Sequence, residues 1–465
     1  MKKIKVGFLP LYIKLYDDSD GPGYRAPMEK YMDMCINMLQ TQGIEVMPAS
    51  QVCRIAPEFE EEVARFNEAD VDAVITMHLA YSPSLESIEA LMKLKAPIVV
   101  LDSTPDYELL DVAGFENRIG PNHGIHGVQD MCNLLKRNGK PYFICAGHAL
   151  HSEVISEVAG MCRAAAAKKA YQNMKIGSVG GSFTGMGDFL IPDEQYKRDI
   201  GAEITYMTPE VVAEYLDKVT EEEIDSEMAA DAVKYNVEVT WLEEYRLATK
   251  SGLAVRKWME DNKLGAVTIN FLTLDISGLP KMPFPECCKV LERGMGYAGE
   301  GDALTAGLVG SLAAVYPKTT FTEMFSPDWK EHVLLLSHMG ESNPNLAQWK
   351  PYLLNKKFKH NSCGNTVAIT TCARPGKATI VNLAPTKNGY RLILCPGQLV
   401  NVGLERGVYK ASTQGWFKPE MPLDQFLPAY SQAGGTHHSA MVYEADLEEL
   451  KAFGEMMGFE VIVVA

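Results

Sequence analysis

The stretch DAVITMHLAYSPSLESIEALMKLKAPIVVLD, residues 72–102, decides the fold. It opens and closes on apolar runs of strand length, DAVITMHLAY and APIVVLD, with the helical pattern SLESIEALMKLK between them. Strands apolar on both faces belong inside a parallel sheet, where a covering helix carries the chain from one strand to the next. The same order extends in both directions. Upstream, IKVGFLPLYI (4–13) reads as a first strand, and PMEKYMDMCINMLQTQG (27–43) as a helix stopped by Gly43, with Met28, Tyr31 or Met32, Cys35, and Met38 or Leu39 on its apolar face. Downstream, a helix from Val128 to Arg137 leads into the strand PYFICAG (141–147). The expectation is an α/β domain with a doubly wound parallel sheet.

A long helix, SEVISEVAGMCRAAAAKKAYQ (152–172), closes this series. KIGSVGGSFTGMGD (175–188) opens another, with GAEITYM (201–207) and AVTINFLTL (266–274) between helices, which predicts a second doubly wound domain. From Lys318 the pattern changes to strands separated by turn residues: HVLLLSHMG, TVAITTCA, KATIVNLA and YRLILCPGQLV, with hardly any helix before DLEELKAFGEMMG. That predicts a C-terminal domain of mainly antiparallel β structure, barrel-like. The expected boundaries are 1–170, 171–316 and 317–465, within what 465 residues allow at about 150 per domain.

Sixty acidic against 44 basic residues leave a net charge of −16, with no long basic run to track a phosphate backbone. Nucleic acid and anionic membrane surfaces are excluded as expected partners. The apolar clusters are strand-length and the N-terminus reads as a buried strand, so neither a transmembrane segment nor a signal peptide is expected. The ten cysteines are scattered, with no CxxC pair, and read as reduced thiols of a cytoplasmic protein. The glycines at 177, 180, 181, 185 and 187 follow a strand, but their spacing does not match GxGxxG and no Walker lysine follows, which argues against a nucleotide site.

Four short segments carry chemistry. In GYAGEGDALTA (296–306), Glu300 and Asp302 precede a new helix. Asp302 reads as a cap, whereas Glu300 lies between two glycines that let backbone approach something closely. In TTFTEMFSPDW (319–329), alternation puts Glu323 on one face with Phe321 and Phe325, either at a sheet edge or in a site. His338 ends the apolar strand of LLLSHMGE (334–341), as a hydrogen-bonded core residue or as a ligand. AGGTHHSA (433–440) holds His437 and His438, which point to opposite sides, so at most one need serve a site. Two glutamates with one or two histidines make a mixed oxygen and nitrogen set suited to Mn²⁺, Co²⁺ or Fe²⁺.

GYAGEGDALTA, TFTEMF, SHMGE and AGGTHHS, in this order and spacing, resemble the L-arabinose isomerase and L-fucose isomerase superfamily, with the arabinose isomerase branch the nearer. The resemblance implies a metal-dependent aldose–ketose isomerase in which Glu300 and Glu323 are catalytic and bind the metal with His338 and His438. It places Phe183, Phe271 and His437 at the sugar. NHGIHGVQD (122–130) is similar to a first-domain segment of the family that puts His126, with His123 beside it, into the active site of a neighbouring subunit. It also implies Mn²⁺ or another divalent cation such as Co²⁺, a substrate-binding role for the first domain, and a homotrimer or homohexamer with shared sites. The loop PLYIKLYDDSDGPGYR lacks the Gln that arabinose isomerases carry there, and fucose isomerases have an Asp where this chain has Glu323. The metal site is thus retained while the sugar-recognising loops match neither named enzyme; L-arabinose is the first expectation for the substrate, followed by L-fucose, D-galactose or a modified hexose. A sugar epimerase and a non-catalytic sugar-binding protein are the competing classes.

The chemistry fits such residues. The C2 proton of an open-chain aldose is weakly acidic, so its removal by a carboxylate calls for a cation at O1 and O2 to stabilise the cis-enediolate, and a carboxyl then returns a proton at C1.

Overall fold

The computed structural model describes residues 3–110, 114–401 and 414–465. The chain divides into two compact units, residues 2–169 and residues 170–465.

The first unit is built on five parallel strands, β1 (Ile4–Leu11), β2 (Ile44–Pro48), β3 (Ala73–His78), β4 (Ile98–Asp102) and β5 (Tyr142–Ala146), in the order β2-β1-β3-β4-β5. Every residue of β3 is buried, Thr76 and His78 included, as in a strand covered on both faces. The helix Ala26–Thr41 buries Met28, Tyr31, Cys35 and Leu39, resolving the two alternatives in its apolar stripe. On one face of the sheet Leu9, Leu11, Val74 and Val100 pack with Phe59, Phe66, Leu91, Val128 and Met131 from the covering helices.

The second unit begins with β6 (Lys175–Val179), β7 (Glu203–Met207), β8 (Asn236–Glu238), β9 (Ala266–Ile269) and β10 (Gly296–Gly299). Four of them form a parallel sheet in the order β10-β9-β6-β7. After β10 comes the helix Ala303–Ala313, which is buried on all sides and is accordingly apolar all round.

The rest of this unit holds β11 (Thr319–Asp328), β12 (Val333–Ser337), β13 (Tyr352–Lys356), β14 (Thr366–Thr370), β15 (Gly376–Thr386), β16 (Gly389–Val400), β17 (Gly415–Pro419), β18 (His438–Tyr443) and β19 (Glu460–Val463). Six of these close an antiparallel barrel, β15-β18-β11-β12-β17-β16, the ring being completed by the β15–β16 pairing, and β19 adds in parallel to β16. Leu336, Ile380, Ile393, Phe417 and Met441 belong to its core, with Phe426 from a covering helix.

Two features depart from the sequence reading. β13 and β14 leave the barrel and form a separate sheet in which β13 pairs in parallel with β8. Leu423–Gln432 is a helix, with Pro422 at its start and Pro428 inside it, and those prolines broke the helical signal in the sequence.

No helix among the described residues is long and apolar enough to cross a membrane. All ten cysteines are free, nine of them buried.

Candidate active site

The barrel register brings distant segments to one rung. Glu323 on β11 is paired with His438 on β18 and with Ser337 on β12, one residue before His338. The β11–β12 register shifts immediately after Glu323, between Met324 and Ser326, so the ladder is interrupted where the side chains are needed.

Glu300 enters from the end of β10 with φ +64°, a left-handed conformation that a non-glycine residue rarely adopts. Its N–H donates to the Ile269 carbonyl at 3.1 Å, and its own carbonyl accepts from the Phe183 N–H at 3.0 Å. Gly301 follows at φ +78°, and a Cβ there would lie 2.1 Å from the Gly181 carbonyl oxygen. Gly301→Ala should therefore cost at least ~1–2 kcal/mol from the left-handed backbone alone, with the clash added. Thermal denaturation should show a lowered Tm; an unchanged Tm would mean the turn relaxes freely.

His338 and His438 are both buried and both oriented by carboxylates. His338 Nδ1 is 2.6 Å from Glu341 Oε2, and His438 Nδ1 is 3.0 Å from Asp302 Oδ2. Asp302 also caps the helix Ala303–Ala313, its Oδ1 accepting from the Thr305 N–H at 2.8 Å. Tyr297 donates its hydroxyl to Glu341 Oε1 at 3.1 Å. With its Nδ1 tied back, His438 presents its Nε2 to the site. His438 Nε2 is 3.5 Å from Glu300 Oε2, buried, and without a hydrogen-bond partner among the described residues. Ligand atoms of Glu300, His338 and His438 lie within 4.8 Å of one another, and Glu323 Oε2 stands 4.0 Å from His338 Nε2. Phe321 packs edge-on against both imidazoles at 5.0 Å, and Phe189 stacks on His438 at 5.4 Å.

Burial acts to raise the Glu300 pKa, but the bond from His437 and the charges of His338 and His438 outweigh it and hold it below the ordinary carboxylate value. Burial dominates at Glu323 and raises it, against the pull of the same histidines. At His338, burial lowers the pKa, but the bond and charge of Glu341 together with the charges of Glu323 and Glu300 more than reverse this. Two imidazoles with carboxylate-bound Nδ1 atoms, one orphaned buried Nε2 and an adjacent carboxylate have the chemistry of a donor set and outer shell that fit a divalent cation.

A family model described as the L-arabinose isomerase central domain matches residues 194–316, and one described as the L-arabinose isomerase C-terminal domain matches residues 318–460. This chain belongs to the L-arabinose isomerase family. The L-arabinose isomerase of Aeromonas salmonicida is 25% identical over 422 residues, covering 86% of this chain and 82% of its own length. That of Bifidobacterium adolescentis is 26% identical over 420 residues, covering 85% and 80%. Among solved structures, a periplasmic solute-binding protein from Actinobacillus succinogenes with bound D-allose aligns with 67% of this chain and 92% of its own at 13% identity. Its TM-score of 0.19 carries no argument.

Other residues expected at an L-arabinose isomerase site fall in different places. Phe183 and Phe271 meet edge-on at 5.6 Å, joined to the cluster through the Phe183–Glu300 backbone bond. His437 faces Glu300 at 3.4 Å through Nε2 and Asp188 at 2.7 Å through Nδ1. Burial lowers its pKa, but Asp188 and Glu300 push it up to about 10. The Asp188 carboxyl, raised by burial and lowered more by His437, falls to about 2. His126 lies in the first unit, exposed on the helix Ile125–Arg137, with its ring against that of His123.

Glu341 and Asp188 are the contributors that the sequence did not reveal. Glu341 follows His338 by three residues, a hint visible in SHMGE, whereas Asp188 is 249 positions from His437 and gives no local signal.

Proposed function

We propose that this protein is a cytoplasmic, divalent-metal-dependent aldose–ketose isomerase that converts a free pentose or hexose to its ketose through a cis-enediol. Membership of the L-arabinose isomerase family gives the enzyme class, and the relatives' name makes L-arabinose the starting point for a substrate screen. The observation that carries the reading is the meeting of Glu300 with the two carboxylate-tied histidines, with Glu323 on the same rung as His438.

In this reading Glu300, Glu323, His338 and His438 hold a cation, Mn²⁺ first and Co²⁺ as an alternative. When bound it supplies Lewis-acid stabilisation of the charge that develops on the sugar's O1 and O2. The chain's own residues handle the protons. One of the two glutamates removes the C2 proton and a carboxyl returns a proton to C1, while a proton passes between O1 and O2. His437, charged at neutral pH beside Asp188, keeps a donor against Glu300. Asp302 and Glu341 position the two imidazoles, and Phe189 and Phe321 wall them from solvent.

The test is incubation of the full chain with a panel of C2 and C3 stereoisomeric pentoses and hexoses in D₂O, with Mn²⁺ or with EDTA, followed by NMR. A ketose carrying deuterium at C1, formed only with metal, is expected. An aldose inverted at C2 would make the protein an epimerase, and an unchanged panel would remove the isomerase reading.

Glu341→Gln should weaken Mn²⁺ binding about 10- to 100-fold, the usual cost of losing an outer-shell partner of a histidine ligand. Calorimetric titration reads this directly, and equal affinity in the variant would remove Glu341's positioning role. The reading also makes the enzyme a homotrimer or a hexamer of trimers, each site completed by His126 of the partner subunit. Sedimentation in parallel with activity checks it: full activity in dissociated monomers is the contrary result.

A further inference from the structure

The end of β13 and the loop after it read Lys356-Lys357-Phe358-Lys359-His360, three lysines in five residues of a chain whose net charge is −16. Among the described residues, none of the three lysines forms an ion pair; Lys356 has only a ring contact, its Nζ 5.5 Å from the centroid of Phe284. Lys356 is half-buried, while Lys357, Lys359 and His360 are exposed. Burial draws the Lys356 pKa below the ordinary lysine value, with the charge of Glu341 opposing it. An ammonium partly withdrawn from water, with no carboxylate in ion-pair contact among the described residues, gains more from a bound anion than a solvated lysine does.

The position of these cations ties them to the site. Phe358 packs at 5.6 Å from Phe271 and 5.3 Å from Phe284, and His360 lies 5.8 Å from Phe271. The Asn361 side chain donates to the Phe271 carbonyl at 2.7 Å, fastening the loop to the turn that presents Phe271. Phe271 in turn touches Phe183, whose N–H holds the Glu300 carbonyl. Glu341, the carboxylate whose charge reaches Lys356, is the one bonded to His338. The acid contacting this loop, Asp275, is engaged by the Ser362 hydroxyl at 2.5 Å. A row of rings thus runs from Phe183, whose backbone N–H holds Glu300, to a group of lysines with no ion pair among the described residues.

We infer that this basic loop receives the end of the substrate remote from the aldehyde, and that the substrate is an aldose carrying an anionic group there, a carboxylate or a phosphate. The inference rests on the isomerase reading and narrows its substrate class. With O1 and O2 at the cation site, the sugar chain runs past Phe183, the ring of the row that is not fully buried, and its terminal anion reaches the ammonium of Lys356. The acidic remainder of the protein repels anions in general, so attraction confined to this loop also gives discrimination against neutral sugars.

The experiment compares a neutral hexose with its uronate and its 6-phosphate as substrates of the full chain with Mn²⁺, in wild type, Lys356→Gln, Lys356→Arg and the exposed pair Lys357→Ser/Lys359→Ser. One anionic sugar should exceed the neutral hexose in kcat/KM by about ten- to hundredfold, the range of a charged hydrogen bond. The better of the two anions identifies the group. Lys356→Gln should collapse that ratio through KM, Lys356→Arg should retain most of it, and the exposed double variant, which leaves the packed residues in place, should lower it and flatten its dependence on salt. Binding of hexitol and hexitol 6-phosphate, which cannot isomerise, is measured alongside. A neutral hexose preferred equally by all four proteins would overturn the inference and leave the isomerase standing. If no sugar is isomerised but the hexitol phosphate binds through Lys356, the isomerase reading fails and the anion site stands. Failure of both turnover and phosphate-dependent binding overturns both.

Discussion

Glu300→Gln and Glu323→Gln are each expected to lower kcat by about 10²- to 10⁴-fold, the range of a general acid or base. Gln keeps the size of Glu and a carbonyl acceptor but can neither take nor release the proton, so the loss reports proton transfer rather than a cavity. The two variants should differ in metal binding. Glu300 lies in the cluster with His338 and His438, and its neutralisation also leaves His437 without one of its two acidic partners. Glu323 stands 4.0 Å from His338 and its side chain is 20% exposed, which leaves it open to a substrate. Glu300→Gln should thus weaken Mn²⁺ binding more than Glu323→Gln. Steady-state kinetics with Mn²⁺ held far above its Kd in each variant separates the two effects. Activity undiminished in both would sink the assignment of either carboxylate to the chemistry.

The fold was legible wherever burial imposes a one-residue-type pattern. β3 and β4 run apolar because both faces are covered, and the reading of residues 72–102 as strand, helix and strand matches the structure. It was less legible where pairing is a long-range choice. Nothing in TVAITT indicates that this strand leaves the barrel, because its partnership with β13, and through it with β8, depends on packing over Leu353 and Cys288. At the site, the glycines around Glu300 announced a close approach, and the structure supplies it in the Gly301–Gly181 contact. Asp302 was readable as a cap because capping is local. Its second bond, to His438, spans 136 residues and has no local trace. The same holds for the loop at Lys356: the run of lysines is plain in the sequence, but its contact with Phe271 exists only in three dimensions.

Acidification should destabilise the first unit steeply through one buried side chain, His78. This residue ends β3 at 3% exposure, and neither ring nitrogen has a hydrogen-bond partner among the described residues. The helix Ile125–Arg137 and the residue before it lie tightly over it. A Cβ on Gly124 would come within 2.8 Å of the His78 carbonyl oxygen, and one on Gly127 within 2.2 Å of the ring. The imidazole has no room to swing toward water, and burial lowers its pKa to about 3 with only Asp130 opposing. For a base whose folded pKa lies below its unfolded value, the unfolded state binds the extra proton as pH falls. Stability is therefore complete above the unfolded pKa of about 6.5 and declines by about 1.4 kcal/mol per pH unit below it, approaching ~5 kcal/mol near the folded value. Asp130 adds to the same limb. Burial raises its pKa, but bonds from the Ser84 N–H and hydroxyl and from Tyr81 lower it further, so its protonation is also harder in the folded state. Hydrogen exchange of the amides of β3 and of the helix Ile125–Arg137, corrected for intrinsic rate, should lose protection by roughly tenfold per pH unit between about 6 and 4. His78→Leu removes the titrating ring while filling a similar volume, so its slope should be shallower, with the Asp130 part remaining. Equal slopes in the two proteins would show that His78 is not the group that protonates on opening.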